Sequence, residues 1–558
     1  MKIEALGVLF QFIGGLGMFL YGMNQMADGL QKSAGHRMQR LLEVLTSNRL
    51  MGVLLGAGIT AIIQSSSATT VMVVGFVNAG IMNLAQAVGV IMGANIGTTV
   101  TSWIVSMSEW GEILKPDFFA PLLVGIGAAV IMFAKDSKKK DIGEIITGFG
   151  FLFVGLTFMS SSIEPYKDAP IFSQIFTVLG KNPLLGILAG TVVTAIIQSS
   201  SASVGILQTL AFNGIVNWQS AIFITLGQNI GTCITAILSS IGANRTAKRA
   251  AVVHLLFNVV GTVIFGIAMA IVFAMNPVLA NSTITSVDIS IFHTSFNTIN
   301  TIILFPFANL LVKASGFLVP KKKGEEDENA PDQEMSRHLD ARILETPSLA
   351  IEQIQHEIIA MGETVKDNLR LAADALLHNT EASAEQVYKN EKIINNMQKI
   401  LTGYLVQINN HSLNDEQHLL VKNLFYSIND LERMGDHCEN LAELADEKRK
   451  SGIVFSGEAS QEMDNMIRSV EEAVDSAVAA RKEHDMTLVR QVFRKEEEVD
   501  SLEEDLRENH MQRLADMECT MENGVIFLDA VSNLERISDH AVNIAGYVKE
   551  ESAWSGSM

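Results

Sequence analysis

Two short polar clusters interrupt the most apolar part of the chain, and they are copies of one another. Thr60-Ala-Ile-Ile-Gln-Ser-Ser-Ser-Ala68 recurs letter for letter at Thr194–Ala202, an offset of 134. Gly93-Ala-Asn-Ile-Gly-Thr-Thr99 recurs at the same offset of 134 as Gly227-Gln-Asn-Ile-Gly-Thr-Cys233. The first cluster supplies primary amides and hydroxyls at Gln64, Ser65, Ser66 and Ser67, and again at Gln198, Ser199, Ser200 and Ser201. Hydroxyls, together with backbone N–H groups freed at a helix N-terminus, suit an oxyanion. Carbonyl, hydroxyl and amide oxygens suit a hard cation such as sodium. No Asp, Glu, Lys, Arg or His falls within Leu50–Ser108 or Asn182–Asn244. An anion buried there would need a co-bound cation to offset its charge, and a built-in proton relay lacks its usual groups. A lone serine run reads first as small-residue packing between membrane helices. Duplication in register, with Gln before it and GxNIGT behind it, makes a ligand site the stronger reading. Asn95, Thr98, Asn229 and Thr232 are the supporting candidates from the second motif.

The elements that must position these groups follow from charge and length. Of 61 acidic and 41 basic residues, 49 and 22 lie from Gly324 onward, so the front carries a net +7 and the tail −27. That division is a membrane domain followed by a soluble, acidic one, and the acidic tail argues against nucleic acid as a partner. The arm Met51–Ile63 would be about 20 Å long as a helix, too short for a hydrocarbon core about 30 Å thick. Broken backbone at that depth is tolerated only where protein buries it or a wet cavity lines it. Re-entrant hairpins over about 50–81 and 184–215 put every Lys/Arg-rich loop on one side, taken as cytoplasmic. Full helices are expected over about 5–27, 86–107, 118–134, 142–160, 218–240, 250–275 and 289–312. The hairpin reading makes the two repeats inverted, and a binding site then lies at the midplane where the two tips meet. A weaker match at offset 133 joins Gly17, Gly22 and Met26 to Gly150, Gly155 and Met159. The first apolar stretch reads as a retained helix and not a cleaved signal. His254 and His293 fall in apolar stretches and read as satisfied buried or interfacial residues. Cys233, Cys438 and Cys519 show no metal or disulfide spacing, which suggests a reducing compartment.

Beyond a charged linker over 316–348, apolar residues recur at helical spacing almost to the end. Breaks near Asn379, Asn414, 451–457, His484 and Asn523 predict six helices in a bundle. This half also repeats. Leu431-Glu-Arg-Met-Gly-Asp-His437 matches Leu534-Glu-Arg-Ile-Ser-Asp-His540 at offset 103, and Glu391/Asn395 pairs with Glu496/Asp500 at 105. An i, i+4 spacing sets both side chains on one helix face. Two ExxxD faces meeting in a bundle could chelate a metal through carboxylates, although a single such face is usually only solvated.

The paired QSSSA and GxNIGT motifs resemble the type II sodium–phosphate cotransporter family over about residues 1–315. That resemblance implies sodium-coupled movement of inorganic phosphate, with Gln64–Ser67 and Gln198–Ser201 forming the substrate and sodium sites. Cys233 in place of Thr99, and Ser203-Val204 in place of Thr69-Thr70, imply that the two halves are not equivalent. LERMGDH and LERISDH resemble the PhoU family of phosphate-signalling proteins over about 349–550. This implies a divalent or iron cluster held by Glu432, Asp436, Glu535 and Asp539, with Glu496 and Asp500 beside them. Asn395 interrupts the acidic pattern of the first repeat, so its cluster is expected to be the weaker.

The expected architecture is all-α. A polytopic inner-membrane domain has repeat 1 over about 1–135, repeat 2 over about 140–275 and an extra helix over about 289–312. The linker and a cytoplasmic PhoU-like bundle over 349–550 follow, and the bundle is a candidate surface for homo-oligomers. Two rival readings use the same residues: a passive anion channel lined by the tips, and a membrane-tethered phosphate sensor. The sequence contains no P-loop and no nucleophile–base arrangement, so an enzyme is not expected.

Overall fold

The computed structural model describes residues 2–43, 49–110, 116–167, 169–320, 339–411 and 413–556. The regular secondary structure of the described residues is helical, apart from one isolated bridge between Asn217 and Thr283. The described residues form two compact units, one holding residues up to 320 with Asp340–Leu349, the other holding Leu339 and the residues from Ala350 onward.

In the first unit, α1 (Lys2–Glu43) is followed by α2 (Arg49–Ile63) and α3 (Ser66–Asn78). The chain reverses between α2 and α3, and Thr60 Oγ1 donates to Thr69 Oγ1 across the reversal at 3.0 Å. Next come α4 (Leu84–Gly97) and α5 (Thr99–Ser106), interrupted only at Thr98, then α6 (Pro116–Phe133) and α7 (Ser137–Ile163). A second hairpin, α9 (Pro183–Ile197) and α10 (Ser200–Phe212), follows α8 (Pro170–Lys181). Thr194 Oγ1 donates to Ser203 Oγ at 2.8 Å, the counterpart of the Thr60–Thr69 bond. The unit continues through α11 (Trp218–Ser239), α12 (Arg245–Met275), α13 (Pro277–Asn281), α14 (Ser286–Leu304) and α15 (Ala308–Leu318).

Five described helices are long and apolar enough to cross a bilayer, and seven if two bent pairs each count as one span. The arms of both hairpins are too short for this alone. Two departures from the expected elements have local causes. The helix expected over 289–312 bends by 87° between α14 and α15, where Pro306 removes a backbone donor. The helix α8, which sequence reading did not anticipate, meets α9 at 112°. Asn182 caps α9 there, and Pro183 occupies its first turn.

The duplication is visible in how the helices touch. A Cβ on Gly56 or Gly93 of the first copy would collide with the backbone carbonyl of Val90 or Val53. A Cβ on Gly190 or Gly227 of the second would collide with that of Ile224 or Ile187. These are the same positions shifted by 134, so the outer glycine of each GxNIGT motif is there for close packing of α2 on α4 and of α9 on α11. The weaker offset has the same meaning. Gly22 lies against the backbone of Leu152 and Gly148, and Gly155 against that of Phe19 and Gly15, so α1 and α7 cross through glycines.

The stretch Asp340–Thr346, expected within the linker, is folded onto this unit. Asp340 accepts from Asn78 Nδ2 at 2.6 Å, and Arg342 Nε donates to the Ser239 carbonyl at 2.6 Å. Ile343 is fully buried, and the Cα of Gly75 faces it.

The second unit has six helices among its described residues: α16 (Pro347–His378), whose first turn belongs to the first unit, α17 (Glu381–Asn409), α18 (Asp415–Lys450), α19 (Gly457–Glu483), α20 (Met486–Ala515) and α21 (Met521–Gly556). Asn414 closes a capping box at the start of α18, and Asp485 caps α20. The last break is at 516–520 instead of Asn523, which lies inside α21.

Candidate functional site

Each QSSS segment is a helix end followed at once by a helix start. Gln64 and Gln198 both adopt the left-handed conformation, at φ 57°. Each donates its backbone N–H four residues back, to Thr60 or Thr194. Ser65 and Ser199 then take extended backbone and cap the next helix, accepting from the N–H of Ala68 at 3.1 Å and of Ala202 at 3.2 Å. The backbone N–H groups of Ser66 and Ser67, and of Ser200 and Ser201, therefore stand in the first turns of α3 and α10, where no intrahelical acceptor exists. The motif encodes the turn itself: a residue at positive φ, a cap, then hydroxyls on the first turn. A non-glycine residue held at positive φ in both copies is a conformation that the surrounding structure must enforce.

The two tips meet. Ser66 Oγ lies 3.4 Å from Thr98 Oγ1, which lies 3.5 Å from Ser200 Oγ. Thr101 Oγ1 donates to Gln64 Oε1 at 2.9 Å and stands 3.5 Å from Ser201 Oγ. Gln64 Nε2 also donates to the Ala61 carbonyl. A cavity of about 200 Å³ is lined by all eight residues Gln64–Ser67 and Gln198–Ser201, with Met23, Asn24, Ala27 and Ile63. Two helix N-termini with hydroxyls and amides thus face one enclosure that has no charged lining residue, an arrangement able to hold an oxyanion. The C-terminal ends of α2 and α9 offer carbonyl oxygens for a cation beside it.

The four supporting residues divide. Thr98 bridges the tips, as above. Asn95 and Asn229 each donate to the carbonyl four residues back, at 2.8 and 2.9 Å, and Thr232 Oγ1 does the same toward Gln228. None of those three lines the tip cavity. Sequence reading missed Thr101 and Asn24. Thr101 lies outside the repeated motif, and Asn24 is flagged only by the weak match at offset 133. That offset carries Met23, Asn24 and Ala27 onto Leu156, Thr157 and Ser160, which line a second cavity of about 160 Å³.

The two histidines correct an expectation. His254 is fully buried, and neither ring nitrogen has a hydrogen-bond partner among the described residues. His293 Nδ1 also lacks one, while its Nε2 is 3.4 Å from Asn229 Oδ1.

In the second unit one ExxxD face, Glu496/Asp500, meets Asp539 of another. Oxygens of Glu496, Asp500 and Asp539 lie within 4.8 Å of one another. Burial, then the charge of Asp539, raises the carboxyls of Glu535 and, after that of Asp500, of Glu496. In the first repeat the corresponding group contains Glu391, which accepts from Asn395 Nδ2 at 2.9 Å. Asn395, which interrupts the acidic pattern, therefore orients a carboxylate in place of supplying one. Glu391 is 2% exposed and lies across Gly435, between Glu432 and Asp436. Burial first, then Asp436, Glu439 and Glu432, pushes its carboxyl up to about 8. Arg433 and Arg536 pair with Asp436 and Asp539, each at 3.5 Å.

Crowded, desolvated carboxylates with an unpartnered Glu391 Oε2 fit a bound multivalent cation. Without one, a carboxyl raised in the fold is protonated there more than in the unfolded chain. Its contribution to stability is then greatest at low pH and falls as pH rises from the ordinary carboxylate range toward about 8. A cation reverses the trend, because it competes with those protons. Divalent-metal affinity of the full chain is therefore expected to rise across that window, and Glu391→Gln to flatten the rise. Glu432→Ala with Asp436→Ala should weaken binding by about tenfold or more. Metal titrations of the full chain at several pH values measure this, and unchanged affinity in the double variant would reduce these residues to surface charge.

The Na+/Pi-cotransporter family pattern matches residues 18–161 and 168–292, and the PhoU domain pattern matches 358–445 and 463–548. YjbB of Escherichia coli (strain K12), provisionally named an inorganic phosphate export protein, is 23% identical over 97% of this chain and 98% of its own. YqeW of Bacillus subtilis (strain 168), an uncharacterized protein, is 30% identical over 56% of this chain and 99% of its own. The sodium-dependent phosphate transport protein 2A of Rattus norvegicus is 27% identical over 30% of this chain and 26% of its own. The crystal structure of PhoU from Pseudomonas aeruginosa covers 36% of this chain and 96% of its own at 25% identity, with a TM-score of 0.35.

Proposed function

Because the chain belongs to the Na+/Pi-cotransporter family and carries a PhoU domain behind it, we propose that it couples sodium to the movement of inorganic phosphate through the cavity between the two QSSS tips. The observation that carries this reading is the meeting of two helix N-termini at one uncharged enclosure, joined through Thr98. Phosphate binds to the hydroxyls and first-turn N–H groups. Sodium binds to hydroxyl, amide and carbonyl oxygens beside it and offsets the charge that the protein leaves uncompensated. The raised carboxyls of the PhoU domain hold a metal, and that domain adjusts transport to phosphate supply from the cytoplasmic side of the inner membrane.

Phosphate-dependent ²²Na+ uptake into vesicles is the direct test. Sodium uptake indifferent to phosphate would reduce the tips to a channel lining. Net export is a second reading, supported by similarity to YjbB along nearly the whole chain. The sign of net phosphate flux under opposed sodium gradients separates export from uptake.

The same reading makes the repeats inverted, with their hairpins opening to opposite sides. Single cysteines near Arg49 should be labelled from the cytoplasm, and those near Asn182 from outside. Labelling of both from one side would overturn the inverted arrangement.

A further inference from the structure

One face of α14 is polar for almost its whole length. Ser286, Ser290, His293, Asn297 and Asn300 recur at spacings of three or four, and all are at most 3% exposed. A buried polar stripe of this kind must be answered by its neighbours. The answer is incomplete in a consistent way. Asn297 Nδ2 donates to the His293 carbonyl at 2.9 Å, Asn258 Nδ2 to the His254 carbonyl at 3.1 Å, and Asn300 Nδ2 to the Phe257 carbonyl at 3.2 Å. The three amide oxygens on the other side have no partner among the described residues, although all three side chains are fully buried. Turning the amides over would set oxygen against carbonyl oxygen, so the unanswered side is the acceptor side.

These groups belong to one junction. Asn229 Oδ1 on α11 lies 3.4 Å from both His293 Nε2 and Asn297 Nδ2. One turn on, Cys233 Sγ is 3.3 Å from Asn258 Nδ2 on α12. The amide of Asn300 lies directly against Gly261 of the same helix, where a Cβ would strike it. A cavity lies at the other end of the stripe. Ser286 and Gln208 line the second cavity, with the carboxylate of Glu164 at its wall, and Gln208 Nε2 reaches Ser290 Oγ at 3.0 Å.

We infer that the junction of α11, α12 and α14 binds a monovalent cation, sodium, through the amide oxygens of Asn258, Asn297 and Asn300, reached along the α14 stripe from the cavity at Ser286. Unanswered acceptors exclude an anion, which needs donors. Oxygen ligands without a carboxylate fit a hard cation of single charge better than a divalent one. The site is separate from the tips and rests on the sodium-coupled reading only for its use in transport.

The test is equilibrium ²²Na+ binding to the purified full chain without phosphate. Asn258→Leu and Asn300→Leu keep the side-chain branching while removing the whole amide, and folded yield is confirmed first because leucine is the bulkier side chain. Each is expected to weaken sodium binding by about tenfold or more and to reduce the sodium-induced rise in melting temperature. Gln64→Ala with Gln198→Ala, which removes amides from the tips alone, is measured alongside for comparison. Unchanged sodium affinity in a folded leucine variant overturns the site. So does sodium binding that disappears only in the Gln64, Gln198 variant, which would make the junction a place for water alone. If a leucine variant does not fold, Asn297→Ser and Asn300→Ser are measured in the same way, and unchanged affinity there overturns the site equally. Phosphate-independent sodium binding that follows the junction variants, in a protein that shows no coupled flux, would sustain the site while refuting the transport reading.

Discussion

Gly93→Ala combined with Gly227→Ala is expected to yield no stably folded protein, whereas Gly58→Ala is expected to be silent. All three glycines lie in helices of the membrane unit. A Cβ on Gly58 meets nothing within 4 Å, while one on Gly93 or Gly227 falls on the carbonyl oxygen of Val53 or Ile187. A flexible side chain could move aside, but a backbone carbonyl already bonded within its helix cannot move without separating the pair. Overpacking of an ordinary core costs about 1–3 kcal/mol, and each of these positions should reach or exceed the top of that range. Two such losses approach the whole stability of a typical domain, about 5–15 kcal/mol. Size-exclusion profiles and melting temperatures in detergent decide the matter. A monodisperse double variant melting as the wild type does would mean that the helix crossings are looser than described.

Ser66→Ala with Ser200→Ala should leave the fold intact and strip the tips of affinity. Ser66 and Ser200 are 3% and 9% exposed, and alanine fills nearly the same space. If each hydroxyl contacts phosphate or sodium, removing it leaves a desolvated partner unpaired, at a cost of about 1–3 kcal/mol. That corresponds to about five- to a hundredfold in apparent affinity for each site. Thr98→Val, which keeps shape and removes the bridging hydroxyl, should weaken binding in the same direction. Apparent affinities for phosphate and sodium, measured on protein of confirmed folded yield, provide the readout. Wild-type values for both ions in the double variant would remove these serines from the ligand set. An effect from one copy alone would move the substrate toward that tip.

Much of this site was legible because the sequence states it twice. An identical nine-residue segment and a second motif in the same register identify both tips before any coordinate is known. The conformation behind the motif was less accessible. Nothing in the letters says that Gln64 and Gln198 would adopt positive φ, since glutamine is not a usual left-handed residue. GxNIGT supplied supporting candidates only: Thr98 bridges the tips, the outer glycines serve packing, and the asparagines are not among the residues lining the tip cavity. A motif repeated for the sake of helix contact looks the same on paper as one repeated for ligation. The histidines show a different limit. Burial of His254 and His293 follows from their apolar surroundings, but whether a partner reaches them depends on which helices cross there. Helices in the tail were the easiest part, because Asn414 and Asp485 act through their immediate neighbours. The bend at Pro306 went unread since an apolar run over 289–312 is long enough to span without it.

The three oxygens Ser66 Oγ, Thr98 Oγ1 and Ser200 Oγ form a row in which every member can give or take one hydrogen. Spaced at 3.4 and 3.5 Å, they are loose enough to rotate. Such a row has a polarity: hydrogens directed one way leave a hydrogen at one end and a lone pair at the other. Turning all three rotors inverts that polarity while moving no heavy atom. The row can therefore offer a hydrogen to an oxyanion at one tip and a lone pair to a cation at the other, or the reverse. What one end of the row presents is thereby tied to what the other presents, a single internal degree of freedom shared by the two tips.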